Sequence, residues 1–295
     1  MMTHRANKGL SLALAIACLL VLWMAKRESE YSSQAAVADT RKQTSDDVQK
    51  KHANPGLHEK QAKGPDLALI IETQMTPNLV PVMLHFATVL GPKWPIVLFT
   101  LEEHWVMPPS AAFRRAVDTR SFDIRFLPPN TSLGDSQSVS RFLTKPWIWE
   151  QVQSARRTLL FQTDSIICSK AETVIEEFLQ HDFVGAPIHQ QYGAGYNGGL
   201  SIRNPKLFLN ITRDVSFEAS AHDFEDQWFY AEAKAREGNG VKLPQAAVAK
   251  LFAVETIYYE KPLGYHQPSR WQADHMEEIE EYCPEVKMLT SRRAT

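Results

Sequence analysis

Four short apolar runs separated by amphipathic stretches set the narrowest limit on what this chain can become. Leu67-Ala68-Leu69-Ile70-Ile71, Pro95 to Leu101, Phe122 to Leu127 and Thr158-Leu159-Leu160-Phe161 read as strands. Between them the spacing predicts helices over about Asn78 to Leu90, Ser110 to Val117 and Lys145 to Gln153. A run that is apolar along its whole length, rather than at alternate positions, suits a strand covered on both faces. Helical crossovers make such strands parallel. The expected fold class is α/β with a mainly parallel sheet, in a body spanning residues 66–295. Further on, a helix at about Glu172 to Gln180 and a strand at Phe183-Val184-Gly185 are expected. A Gly-rich turn then leads into a strand over Tyr196 to Arg203, followed by a helix over Asp223 to Ala235. Ligands of such sheets sit beyond the carboxyl ends of the strands, so site residues are sought there.

The chain ahead of this body has a different character. Gly9 to Ala25 is a run of 17 residues without a charge. At about 1.5 Å per residue it makes a helix of roughly 25 Å, near the lower limit for a membrane span. It has no polar face, as a core helix would. A cleaved signal peptide is the rival, with Ala36-Val37-Ala38 as its small-residue site, but that site lies far beyond the apolar run. The expectation is an uncleaved signal anchor at 9–25, preceded by a short cytoplasmic tail at 1–8. Residues 26–65 hold only Val37, Val48 and Leu57 from the Leu/Ile/Val/Phe set, too little to offset the entropy of ordering, and read as a disordered stem. The short leading segment and large following body favour a single-pass type II protein with a lumenal body, and the short span suits Golgi or endoplasmic reticulum membranes. Two sequons, at Asn130 and Asn210, agree with a lumen. Cys168 and Cys283 remain as a disulfide pair or as two buried thiols, since Cys18 falls in the span.

Charge narrows the partners. The whole chain carries 32 basic and 34 acidic residues, and the excess of acid is concentrated in the body. A body of that sign lacks the basic stripe that nucleic acid requires.

Four constellations could do chemistry. Asp164 in Phe161-Gln162-Thr163-Asp164-Ser165 follows the fourth strand. It can hold a divalent cation on a nucleotide diphosphate, or simply bond its own backbone as a turn residue. Gly193 to Leu200 can bring backbone close to a ligand, or form a flexible hairpin at Asn197-Gly198. Glu225-Asp226 can include a general base, or complement the amides of a helix start. His266, in Pro262-Leu263-Gly264-Tyr265-His266, is by itself an ordinary hydrogen-bonded histidine.

Taken in order, these segments resemble a family. Ile70-Ile71-Glu72-Thr73, Trp94-Pro95-Ile96, Phe161 to Ser165, Asp182 to Pro187, Asn197 to Arg203, Glu225-Asp226 and Gly264-Tyr265-His266 are similar to A-type glycosyltransferases. They resemble more closely a poorly characterised domain-of-unknown-function family usually placed beside them. The resemblance implies a Rossmann-like, nucleotide-diphospho-sugar fold and transfer of a sugar, a hexosyl or related group, to a hydroxyl of a glycan, glycoprotein or glycolipid. It implies Asp164 and His266 as ligands of Mn²⁺ or Mg²⁺, with Gln162 standing where the family has a first Asp. It implies donor contacts from Glu72, Thr73, Gln162, Thr163, Asn197, Gly198 and Gly199. Asp226 would be the base of an inverting reaction, with Glu225 beside it. The alternative is a carbohydrate- or nucleotide-sugar-binding protein that keeps the fold without turnover, which Gln162 favours.

Overall fold

The computed structural model describes residues 64–289. The apolar run at 9–25 and the stem up to residue 63 lie outside these residues. Among the described residues no helix is long and apolar enough to cross a membrane. The folded body begins slightly before Asp66, because the Pro65 carbonyl accepts a hydrogen bond from the Arg156 amide at 3.0 Å.

The four apolar runs are strands β1 (Leu67–Ile71), β2 (Ile96–Thr100), β3 (Phe122–Phe126) and β4 (Thr158–Phe161), parallel to one another. They are followed in the chain by β5 (Ser165–Ile167), β6 (Phe183–Pro187), β7 (Tyr196–Arg203), β8 (Ala253–Val254) and β9 (Gly264–His266). The main sheet has the order β3-β2-β1-β4-β7-β6, in which β7 runs antiparallel to both β4 and β6. The sheet is thus parallel on one side and antiparallel on the other. Strands β1, β2, β4 and β6 are buried almost throughout, as their unbroken apolar character requires. Edge strand β3 instead exposes Asp123 and Arg125, which pair with each other and blunt the edge. A small second sheet, β5-β9-β8, follows the first without having been foreseen.

The helices are α1 (Leu79–Leu90), α2 (Ala111–Asp118), α3 (Ser136–Leu143), α4 (Pro146–Val152), α5 (Pro205–Asp214), α6 (Glu225–Ala235), α7 (Ala246–Phe252), α8 (Pro268–Trp271) and α9 (Met276–Tyr282). Several starts have chemical causes. Ser110 caps α2 through the Phe113 amide, and Asp135 and Ser138 satisfy each other's backbone at α3. Asn204 followed by Pro205 opens α5. The expected helix at Glu172 to Gln180 is corrected to a single 3-10 turn, Ile175–Phe178. Val174 before it is extended, and Glu176 within it is engaged by the Trp94 indole at 3.3 Å.

The core is continuous from α1 across the sheet to α5 and α6, with Phe86 stacked on Phe161 and Phe208 on Phe229. A satellite core beneath the second sheet gathers Ile166, Val254, Tyr265, Ile279 and Val286 around a disulfide between Cys168 and Cys283. Of the two alternatives open for these cysteines, the structure has the disulfide. The bridge spans 115 residues of sequence. In the chain-entropy account it stabilises the fold by about 4 to 5 kcal/mol.

Candidate active site

The chain adds β2 and β3 on one side of β1 and then crosses to β4 on the other, so the strand order reverses at β1 and opens a crevice at the carboxyl ends of β1 and β4. A cavity of about 200 Å³ occupies that crevice. Its floor is Ile71, Leu160 and Phe161; its polar rim is Glu72, Thr73, Gln162, Thr163 and Asp164. Leu133 and the α3 residues Val139, Phe142 and Leu143 make an apolar wall. Five of the expected site residues therefore share one pocket. Burial raises the Glu72 carboxyl above its ordinary value, against the Gln74 amide that donates to it at 3.0 Å.

At the edge of this cavity Asp164 meets His266. The second sheet brings them together: β5 pairs antiparallel with β9 and sets Ser165 opposite His266. His266 Nε2 stands 3.3 Å from Asp164 Oδ1 and 3.1 Å from Gln162 Oε1. Its Nδ1 stands 3.0 Å from Oε1 of the buried Glu255, so the ring donates from both nitrogens. Burial works to lower the imidazole pKa, but hydrogen bonds and charge from Asp164 and Glu255 outweigh it and raise the ring to about 9. Burial likewise works to raise Asp164, and His266 and Gln267 more than reverse it. Asp164 Oδ2 accepts from the Gln267 amide at 2.7 Å, while Oδ1 is sealed from solvent without a well-formed hydrogen bond.

These atoms fit a hard divalent cation. One orphaned carboxylate oxygen, one amide oxygen and one imidazole nitrogen converge where a proton now supplies the positive charge. Glu255 behind the ring is the outer carboxylate that commonly orients a ligating histidine. Among the described residues no group of three or more His, Cys, Asp or Glu converges in this way, so the set is two side chains of those types plus Gln162.

The acidic pair lies on the other side of one peptide unit. A Cβ added to Gly199 would strike the His266 ring, whereas one added to Gly198 would strike Arg203 and Glu225. The backbone thus does come close to something at Asn197-Gly198-Gly199, but its neighbours are the protein's own side chains. These residues are inside β7 and do not form a hairpin turn. The turn lies upstream, at Gly193 and Gly195, whose positive φ values of 134° and 106° admit glycine readily. Asn197 Oδ1 accepts from the Gly199 amide at 2.8 Å and fixes the local bend.

Both acids of the pair are at the start of α6 and only 8% exposed. Glu225 forms an ion pair at 3.1 Å with Arg203, a side chain with no solvent exposure. The Arg203 guanidinium also donates to the Gly198 carbonyl and to Ser201 Oγ. It is ringed by Trp149, Phe183, Phe208 and Phe229 at 5.4 to 6.0 Å. Glu225 is thereby held in place by an internal cation. Asp226 points to the glycine strand, accepting from the Gly198 amide at 2.9 Å and from the Gln227 amide at 2.7 Å. Burial, and then the charge on Glu225, push its carboxyl up to about 7.

Arg203, Glu255 and Gln267 were not singled out from the sequence, and neither was α3. Asp135 and Ser138 form a capping box that ends in Ser rather than Glu or Gln, which hides the start of α3. A buried arginine or glutamate has no signature in a single sequence, because both residues are usually exposed.

No curated protein matches the chain. Among solved structures it is similar to the apo form of the glycosyltransferase GlyE of Streptococcus pneumoniae TIGR4, with 11% identity and a TM-score of 0.42 over 68% of this chain and 54% of that one. The chain therefore spans about half the length of GlyE. It is also similar to the galactosyltransferase LgtC in complex with donor and acceptor sugar analogues, with 12% identity and a TM-score of 0.42 over 77% and 98%. For the Pyrobaculum calidifontis mannosyltransferase PcManGT, solved with GDP-Man and Mn²⁺, the values are 11%, 0.37, 62% and 55%. At such values the chemistry has to be argued from this chain's own side chains. A family model described as protein of unknown function (DUF5672) matches residues 121–266, from β3 to His266 and just under half of the chain. The segment that carries Asp164, Glu225, Asp226 and His266 is thus similar to that family, while Glu72 and Thr73 stand outside the match.

Proposed function

We propose that the chain is a glycosyltransferase that moves a sugar from a nucleotide diphosphate donor to a hydroxyl acceptor. The observation that supports this most is the pairing of two unlike acid sites across Gly198-Gly199. One is a half-open Asp164 beside a switch-point cavity; the other is a buried Asp226 poised to hold or lose a proton near pH 7. In this reading the cavity takes the nucleotide, with Glu72 and Thr73 at its polar rim and the α3 side chains against the base. Asp164, His266 and Gln162 would hold the cation, which would neutralise charge on the leaving diphosphate.

The bond between the anomeric carbon and the diphosphate oxygen breaks as the acceptor oxygen bonds to the opposite face of that carbon. The acceptor's proton passes to Asp226. Each Asp226 oxygen accepts one backbone N–H and keeps a lone pair for this purpose. The charge on Glu225 beside Asp226 adds to burial in making Asp226 more basic, and the Arg203 charge partly offsets it. In this reading the transfer inverts the anomeric carbon.

In the same reading the body faces the lumen of the Golgi or endoplasmic reticulum, behind an anchor at 9–25. The disulfide supports an oxidising compartment, and Asn130 and Asn210 of the two sequons are both exposed. A retained sugar pocket without turnover is the second reading, favoured by Gln162 in a site with two conventional ligands.

A thermal-shift screen of the full-length protein against UDP-, GDP- and CMP-sugars, with and without Mn²⁺, tests the function. A ligand at 100 times its Kd stabilises by about 2.7 kcal/mol. Absence of any shift across the panel overturns donor binding. A shift without transfer or donor hydrolysis selects the second reading. Membrane partition and a band shift with endoglycosidase test the topology.

A further inference from the structure

A transferase needs a seat for its acceptor between the donor's anomeric carbon and the base, and neither the cavity nor the acid pair supplies one. An aromatic pair lies outside both. Tyr192, in the loop between β6 and β7, is 47% exposed and packs edge-on against Trp271 at the end of α8, with ring centroids 4.9 Å apart. Both rings are tied to the candidate site. The Tyr192 carbonyl accepts from the Gln227 side-chain amide at 3.2 Å, and Gln227 directly follows Asp226. Trp271 donates its backbone N–H to the carbonyl of Gln267, whose side chain binds Asp164. The Tyr192–Trp271 contact therefore spans from the base side to the cation side.

The surroundings match a sugar ring better than a peptide or lipid. The exposed Arg270 lies over Trp271 at 4.8 Å and is steered by Gln267 Oε1 at 3.2 Å. His189 stands 6.3 Å from Tyr192. Aromatic faces take the axial C–H groups of a pyranose, while planar polar side chains at the rim take its hydroxyls. The loop that presents Tyr192 is held in place without side-chain bulk. Cβ atoms at Gly193 and Gly195 would collide with Gln227 and Tyr230. Gln267 itself adopts a left-handed backbone, φ 47°, which turns the chain from β9 into α8 and brings Trp271 to the platform.

We infer that Tyr192 and Trp271, with Arg270 over the indole, form the subsite that seats the pyranose ring of a carbohydrate acceptor. Its place in the reaction rests on the transferase reading; its affinity for a pyranose does not.

The test uses the full-length protein in a detergent without sugar and a panel of methyl glycopyranosides (gluco, galacto, manno and N-acetylglucosamine), with binding followed by saturation-transfer NMR. At least one glycoside should bind. Tyr192→Ser and Trp271→Leu should each weaken it tenfold or more, and Tyr192→Phe less than threefold. Nucleotide-sugar shifts should change less than twofold in affinity. In the wild-type protein, saturating glycoside should also protect Tyr192 and Trp271 from hydroxyl-radical oxidation, a readout that needs no variant. Absence of binding across the panel, or binding without protection of either ring, overturns the subsite. Glycoside binding lost in Tyr192→Ser, in a wild-type protein that ignores every nucleotide sugar, keeps the subsite and removes the transferase.

Discussion

The two acid sites differ in how their charge is met. Asp164 has a side chain 44% exposed, an orphaned oxygen and a neighbouring histidine whose proton a cation could replace. Glu225 and Asp226 are closed in, and their counter-charge is Arg203, a residue with no solvent exposure that aromatic rings hold on several sides. The first site is open to an exchangeable partner. The second is complete within the fold. A carboxylate meant to gain and lose a proton needs the second kind of surroundings, because burial and a fixed neighbouring charge set its pKa without competition from solvent ions.

Arg203→Met should separate the sites most strongly. It leaves Glu225 buried without its cation and should cost about 3 to 5 kcal/mol of stability in urea denaturation. A loss below about 1 kcal/mol would mean that water already neutralises the pair. Asp226→Asn is expected next, with turnover reduced on the order of 10² or more and nucleotide-sugar binding unchanged. If Glu225→Gln has that effect and Asp226→Asn does not, the base is reassigned.

Glu255→Gln acts only on the open site. It should weaken Mn²⁺ binding by about tenfold to 100-fold in calorimetry, since His266 loses the carboxylate that orients it. The stability cost of Arg203→Met should be the same with Glu255→Gln as without it. The smallest expected effect is on pH. The Asp226 carboxyl is raised in the folded state, so its stabilising contribution is fully present below its ordinary value near 4. That contribution is lost as pH rises through about 7. Asp226→Asn should flatten stability over that window. Turnover has the opposite slope and rises through the same window as the base ionises. A stability profile already flat in the unsubstituted protein would remove the raised pKa.

The four parallel strands were legible because unbroken apolar runs have few other uses. Leu67 to Ile71 and Thr158 to Phe161 appear within a residue of their expected ends. The small second sheet was less legible, since β8 and β9 have only two and three residues and leave no periodicity. The site showed the same division. Asp164 and His266 were paired through a resemblance, and the structure brings them within 3.3 Å. Glu255, eleven residues before His266, supports the same ring. Nothing in Val254-Glu255-Thr256 marks it, because its partner is selected by the β8–β9 pairing rather than by local pattern.

The Cys168–Cys283 bridge divides the candidate site along the covalent chain. Asn197 to Arg203, Glu225, Asp226, Glu255 and His266 belong to the loop it closes, while Glu72, Gln162 and Asp164 lie before it. The exposed connection around Glu218 to Phe224, between α5 and α6, is also inside that loop. One protease cut there severs the backbone without releasing a fragment. The nicked protein should run as a single species until a thiol reagent is added and as two afterwards. Its two halves, each holding part of the site, remain tethered in the meantime and free to re-associate as an intramolecular event.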